Sequence, residues 1–310
     1  MNKEEVKSSV LLLLTAAIWG FAFVAQRVGT MHVGAFTFTG LRFALGSLSI
    51  LPMLLISAKK TDEENERAED RKDVIRAGIM AGCALFIGAS FQQIGLIYTT
   101  AGKAGFITGL YIVFVPVFGI FLKQKTQAST WLGVFVAIIG LYFLSVNEGF
   151  YIELGDLLEI IGAVFWAIHI LIIDHFAKKV SVVKLSLGQF ITCSALSLTA
   201  AFIFEKISLE ALSQIIIPLL YGGILSAGVA YTIQAIAQKH ARPSHAAVAL
   251  SMEAVFASIG GLLMLNERMA LRGYTGCALM LAGMLLSQYE SLAKGKNEAP
   301  IEIVNQEKSS

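Results

Sequence analysis

Residues 9–24 read SVLLLLTAAIWGFAFV, and residues 79–97 read IMAGCALFIGASFQQIGLI. Neither run contains a Lys, Arg, Asp or Glu. Neither alternates apolar with polar residues, as the roughly 10-residue strands of a membrane β-barrel must. An α-helix needs about 20 mostly apolar residues to cross a bilayer's hydrocarbon core. Both runs therefore read as membrane-spanning helices. Lys3 and Lys7 precede the first run in the manner of a secretory signal peptide. The run is too long for one, continues through Trp19 to Gln26, and is followed at once by further spans.

The composition around these runs agrees. Of 310 residues, 56% are hydrophobic and only 15% are charged, against about 25% charged in a soluble domain. The mean hydropathy is +0.70. A formal charge of +2 leaves no basic footprint for nucleic acid. Disorder needs low hydrophobicity and high charge, which is the opposite composition. The charges are also concentrated: 13 of the 46 lie between Lys59 and Arg76. The chain reads as an all-α polytopic membrane protein of about ten transmembrane helices. They are expected over residues 8–28, 34–57, 74–98, 104–122, 129–146, 155–176, 183–204, 213–237, 245–265 and 271–289.

Orientation follows from the basic residues, which are held back in cytoplasmic loops. With the N-terminus inside, 18 of the 24 Lys and Arg fall in inside segments and 4 in outside loops, with Arg27 and Arg42 within spans. Both termini are thus expected to be cytoplasmic, and the location is the cell membrane. Residues 1–7 form a cytoplasmic N-terminus, residues 58–73 a charged cytoplasmic loop, and residues 291–310 a disordered cytoplasmic tail. Cys83, Cys193 and Cys277 all fall within spans and read as small apolar residues.

The second half echoes the first at a shift of about 143 residues. Ala104 falls on Ala247, Leu122 on Leu265, Lys125 on Arg268, Gly133 on Gly276 and Gly140 on Gly283. Trp19 answers Trp166 at a slightly larger shift. The two repeats are expected over 8–146 and 155–290. Five spans per repeat is an odd number, so the repeats must cross the membrane in opposite directions. Inverted five-helix repeats enclose a midplane site in many secondary transporters. Small residues four apart, Gly78 with Gly82 and Gly105 with Gly109, suit close helix packing. Pro116 is expected to kink the fourth span.

An ionisable group in mid-membrane needs a partner, water or a function. Glu253 falls near the centre of the ninth span and shares a face with Ala246, Ala249, Phe256 and Gly260. It is the candidate to bind a solute amine or to carry a proton. Arg42 lies in the second span, where it would hold a solute carboxylate or pair with Glu159 or Glu253. In the sixth span Glu159, Gly162, Trp166 and His169 share one face, answered in the first by Thr15, Trp19, Phe23 and Gln26. These stripes read as two walls of one cavity for an organic solute with an apolar part. Gln93 and Gln234 offer hydrogen bonds, and Tyr98, Tyr111, Tyr221 and Tyr231 are further candidates for the path. The substrate-binding set is therefore Trp19, Gln26, Arg42, Gln93, Trp166, His169, Gln234 and Glu253, with Glu253 the proton-coupling candidate.

No catalytic residue, metal site or cofactor is read. The chain has no HExxH zinc site, GxSxG elbow or Walker A loop. Without a nucleotide site, any pumping must draw on ion gradients. The nearest approach to a membrane-embedded, lipid-modifying enzyme is His240 and His245 beside Arg242, with no carboxylate or thiol close in sequence.

Four stretches carry a family resemblance: Ala16-Ala17-Ile18-Trp19-Gly20, Leu41-Arg42-Phe43, Glu253-Ala254-Val255-Phe256 and Leu265-Asn266-Glu267-Arg268. Over residues 8–290 the chain resembles the EamA-like members of the drug/metabolite transporter superfamily. The family often has Glu-Pro at Glu253-Ala254 and Gly-Glu-Arg at Asn266-Glu267-Arg268. In the first half Gln124 stands where that Glu would recur. The resemblance implies a ten-helix inverted-repeat permease with cytoplasmic termini that exports amino acids, related metabolites or drugs by alternating access. Glu267 and Arg268 are read as an ion pair at a helix end. An uncoupled facilitator of the same solutes is the alternative. The expected partners are a small solute, the lipid bilayer and, as an open alternative, a second copy of the chain.

Overall fold

The computed structural model describes residues 3–60, 71–121, 128–145, 152–239 and 243–286. The charged loop between 61 and 70, Gln124, His240, Arg242 and the tail from 287 lie outside the described residues, and the His245 side chain is likewise outside them. The described residues form helices α1 (Lys3–Thr30), α2 (Ala35–Lys60), α3 (Arg71–Tyr98), α4 (Ala101–Thr108), α5 (Tyr111–Phe121), α6 (Ala128–Ser145), α7 (Leu154–Ala177) and α8 (Val182–Phe204). Next come α9 (Leu209–Gln214), α10 (Ile216–Leu220), a π-helical segment Tyr221–Tyr231, α11 (Thr232–Gln238), α12 (Pro243–Ser251), α13 (Glu253–Met264) and α14 (Leu271–Leu286). Seven segments are long and apolar enough to cross a membrane, and Trp131–Leu144 and Ala249–Met264 are shorter apolar helices. In lipid, a helix is the form in which an open segment satisfies its own backbone.

Three expected spans depart from a uniform α-helix. The fourth breaks at Gly109–Leu110, between α4 and α5, whereas Pro116 lies inside α5. Two short-range bonds make the turn, Leu110 N–H to the Ile107 carbonyl at 3.0 Å and Val113 N–H to the Leu110 carbonyl at 2.8 Å. The α-helical ladder is therefore already interrupted seven residues before the proline. The ninth breaks at Met252, between α12 and α13, so Glu253 opens a helix instead of sitting mid-helix. A carboxylate there is favoured by the positive end of the helix dipole. The shift of 143 that relates the halves carries Gly109 onto Met252. The eighth passes through the π-helical segment, a form that recurs at functional sites.

The paired glycines hold α6 and α14 together. A Cβ at Gly140 would lie 2.6 Å from the Met280 nitrogen, and one at Gly283 would lie 2.5 Å from both the Ala137 nitrogen and the Gly133 carbonyl oxygen. Only hydrogen fits where these backbones meet. Gly78 and Gly82 of α3 likewise seat α8 through Gly188 and Thr192, and Gly105 of α4 seats α13 through Ala257. Such close approach is what holds helices together where lipid removes the hydrophobic drive.

On one face of the bundle two carboxylates close helix ends. Glu267 accepts from the Ala101 and Gly102 N–H groups of α4 at 3.1 and 3.3 Å. Glu205 accepts from the Phe36 and Thr37 N–H groups of α2, both at 2.8 Å, and from the Thr37 hydroxyl at 2.7 Å. Each satisfies donors that a helix start leaves orphaned. Asn266 turns the chain to reach α4 with φ of 54°, a left-handed conformation that Gly and Asn tolerate best. That is why Asn can stand where the related pattern has Gly. The expected Glu267–Arg268 ion pair is replaced by this cap: no ion pair of either residue occurs among the described residues.

Candidate functional site

Between α1, α2, α3, α7, the π-helical segment and α13 lies a cavity whose walls include Trp19, Gln26, Arg42, Trp166, His169, Gln234 and Glu253. Of the two expected stripes, Trp19, Phe23 and Gln26 on α1 and Trp166 and His169 on α7 line it, whereas Thr15, Glu159 and Gly162 do not. Gln93 does not line it. Its Nε2 donates to the Gln26 backbone carbonyl at 3.0 Å, and its neighbour Gln92 takes the wall position. Gly88, one turn before Gln92, lies against the Trp166 ring. The sequence does not choose between the two amides, because each follows a small residue one turn earlier, Gly88 before Gln92 and Ala89 before Gln93.

Tyr231 is the centre of the aromatic wall. Its ring centroid lies 4.5 Å from Trp19, 6.3 Å from Trp166, 6.0 Å from His169, 5.8 Å from Phe43 and 5.9 Å from Phe190. It closes the π-helical segment. Trp19 binds the same segment, donating from Nε1 to the Ser226 carbonyl at 3.2 Å. Thr108, Tyr111 and Ser226 also line the cavity; of these, Tyr111 is the one expected from the sequence. Tyr221 donates instead to the Ile18 carbonyl at 3.0 Å, and Tyr98 is exposed.

Several polar atoms of this wall are left open. Arg42 Nε, Gln26 Oε1, Gln234 Oε1 and Trp166 Nε1 are buried without a hydrogen-bond partner among the described residues, while the Tyr111 hydroxyl and the Glu253 carboxyl face each other. Arg42 is 3% exposed, stacks at 4.8 Å over the Phe43 ring, and forms no ion pair there. The pairing with Glu159 or Glu253 is not made. Buried polar groups without partners cost about 1–3 kcal/mol each, so a cluster of them beside a cavity marks a place for a polar guest. His169 is held by Gln189, with 2.7 Å between Nε2 and Oε1. The free space is about 30 Å³, room for a water molecule or two and far below an organic solute. The site is contracted in this conformation. Among the described residues no group of three His, Cys, Asp or Glu could hold a metal ion.

A polar seam runs between α4 and α7 from the Glu267 face to the cavity. Lys103 Nζ bridges Asp156 at 2.7 Å and Glu153 at 3.4 Å, and the Thr99 hydroxyl donates to Asp156 at 3.0 Å. One turn deeper, the Thr108 hydroxyl donates to Glu159 Oε2 at 3.1 Å.

Many buried helices, broken spans and a polar cavity define a membrane transport protein. The profile of the EamA-like transporter family matches the chain twice, over residues 6–146 and 153–289, and the chain belongs to that family. An uncharacterized transporter of Archaeoglobus fulgidus is 32% identical over 89% of this chain and 83% of its own length. The uncharacterized transporter YoaV of Bacillus subtilis is 24% identical over 92% of this chain and 97% of its own. One solved crystal structure superposes with a TM-score of 0.68 at 17% identity, covering 95% of this chain and 99% of that one. It shares the fold.

Proposed function

We infer that the protein is a secondary transporter of zwitterionic solutes with an apolar part, amino acids foremost, working by alternating access of two inverted five-helix repeats. The observation that carries the solute class is that Arg42 and Glu253 line one cavity without pairing with each other. Both are buried in one cavity wall, neither has a counter-ion among the described residues, and Trp19, Trp166 and Tyr231 surround them. Arg42 would take the solute carboxylate, Glu253 its amine or a proton, and the aromatic wall its side chain. His169, Gln26 and Gln234 would add hydrogen bonds, with Gln93 bracing Gln26. The twofold profile match and the alignment of both helix breaks at one shift support the inverted repeats. Charge placement supports cytoplasmic termini in the cell membrane, and the family resemblance supports export.

The test is thermal unfolding of the purified protein with amino acids, their amides, sugars and amphipathic drugs, since a ligand stabilises the state it binds. Amino acids are expected to raise Tm, and the amides, which lack the carboxylate, to fail. Arg42→Gln should weaken binding about 10–100-fold, the worth of one charged hydrogen bond. Stabilisation by sugars alone would overturn the solute class. In proteoliposomes, Glu253→Gln is expected to abolish the response to a pH gradient. Wild-type exchange indifferent to that gradient would make the protein an uncoupled facilitator.

A further inference from the structure

We propose that Glu159 is a second proton-carrying carboxyl, and that the α4–α7 seam is the path by which protons pass between the Glu267 face and Glu253. The proposal rests on the proton-coupled reading of Glu253 and extends it to a residue outside the cavity wall.

The Glu159 side chain is fully buried. One oxygen accepts from Thr108, while Oε1 has no partner among the described residues and rests against the backbone at Gly95. A Cβ at Gly95 would lie 2.9 Å from that oxygen, so the glycine makes the room. The groups facing Glu159 come from four elements. Asp156 stands one turn away on α7, Thr108 on α4 donates to Glu159, the Gly95 backbone on α3 lies against it, and Glu253 on α13 lines the cavity that Thr108 also lines. Lys103, the cation of this seam, is committed to Asp156 and Glu153. A structural carboxylate at this depth would be expected to hold a cation, as Asp156 does. Glu159 holds a hydroxyl instead, and Thr108 lines the cavity.

The order from face to cavity is thus an ion pair, a carboxyl, a hydroxyl and, across the water-sized cavity that Thr108 lines with Tyr111, the Glu253 carboxyl. One proton leaves Glu159 as an acid and reaches Glu253 as a carboxylate. The Thr108 hydroxyl can pass it on by giving its own hydrogen and taking another. One acid and one carboxylate exchange places, and no electron moves. The break at Gly109–Leu110 directly after Thr108 leaves the hydroxyl on a helix end, where it can turn.

The test is infrared difference spectroscopy of the purified full chain after a pH drop, with no solute present. The Glu253 carboxylic-acid band is assigned by its loss in Glu253→Gln. Glu159→Gln should remove a second carboxylic-acid band and slow the rise of the Glu253 band. Thr108→Val, which keeps both carboxyls, should slow the Glu253 band as well. If Glu159→Gln does not fold, Thr108→Val decides. The proposal is overturned if the Glu253 band rises at the wild-type rate in the folded variants, or if Glu159→Gln removes no band. Failure of the transport reading would show separately, as no amino acid stabilising or exchanging through the wild-type protein.

Discussion

The α4–α7–α13 region and the α6–α14 pair solve the same problem of burial in opposite ways. The first is broken at two helices and carries Lys103, Asp156, Glu159 and Glu253 within it. The second is two unbroken helices locked by glycine against backbone. Irregular backbone at membrane depth persists only where protein or a wet cavity shields it. The contrast separates a part with broken helices and buried charge from a part held by close backbone contact. Buried carboxylates and chain breaks collect in the first; the second has no break, and its one cation, Arg272, lies over the Tyr142 and Phe143 rings.

Substitutions can break or sharpen this contrast. The largest effect is expected in the polar seam. Lys103→Met leaves the fully buried Asp156 without its cation and should cost about 3–5 kcal/mol. Adding Asp156→Asn should restore part of the lost thermal stability. A Lys103→Met protein as stable as wild type would show that the pair is solvated and the seam less buried than drawn. Next comes the brace. Gly140→Val inserts side-chain atoms into the Met280 and Gly276 backbone and should cost about 1–3 kcal/mol in unfolding assays. Amino-acid affinity should be unchanged in the folded fraction, because α6 and α14 lie outside the cavity wall. A changed affinity would erase the distinction between the two regions.

Glu267→Ala sharpens the comparison at the rim of the seam. It orphans two N–H groups at the start of α4 and should cost about 0.5–2 kcal/mol, the range of a lost helix cap. Glu267→Gln should recover most of it if hydrogen bonding, and not charge, is what the cap supplies. The smallest effect is expected at Lys178, which pairs with Asp174 at 2.8 Å on an exposed helix surface. Lys178→Ala should stay within about 0.5 kcal/mol. A loss as large as that of Lys103→Met would mean that exposure does not distinguish the two lysines.

Much of this was legible in the residues. The glycines at 133, 140, 276 and 283 marked the relation between the halves, and the structure brings the same four together at one helix–helix contact. The stripes at Trp19 and Trp166 marked two walls of one cavity, because helical period places residues three and four apart together. Other features were not legible. Nothing in the Ser251-Met252-Glu253 run announces a break, and Pro116 drew attention to the wrong end of its span. Gln92 and Gln93 differ by about 100° around one helix, so composition could not choose between them. Glu267 looked like half of an ion pair because its neighbour in sequence is Arg268. Its true partners are 165 and 166 residues away.

By itself, the sequence determined that the chain is helical and membrane-embedded, and that its halves are related. Long apolar runs have one open-chain solution in lipid, and a repeated pattern survives in the order of residues. The tertiary structure decided where the helices break, which of Gln92 and Gln93 meets the cavity, and which carboxylates are left without a cation. Those outcomes depend on which neighbours close around each side chain, and packing partners far apart in the chain leave no trace in its local order.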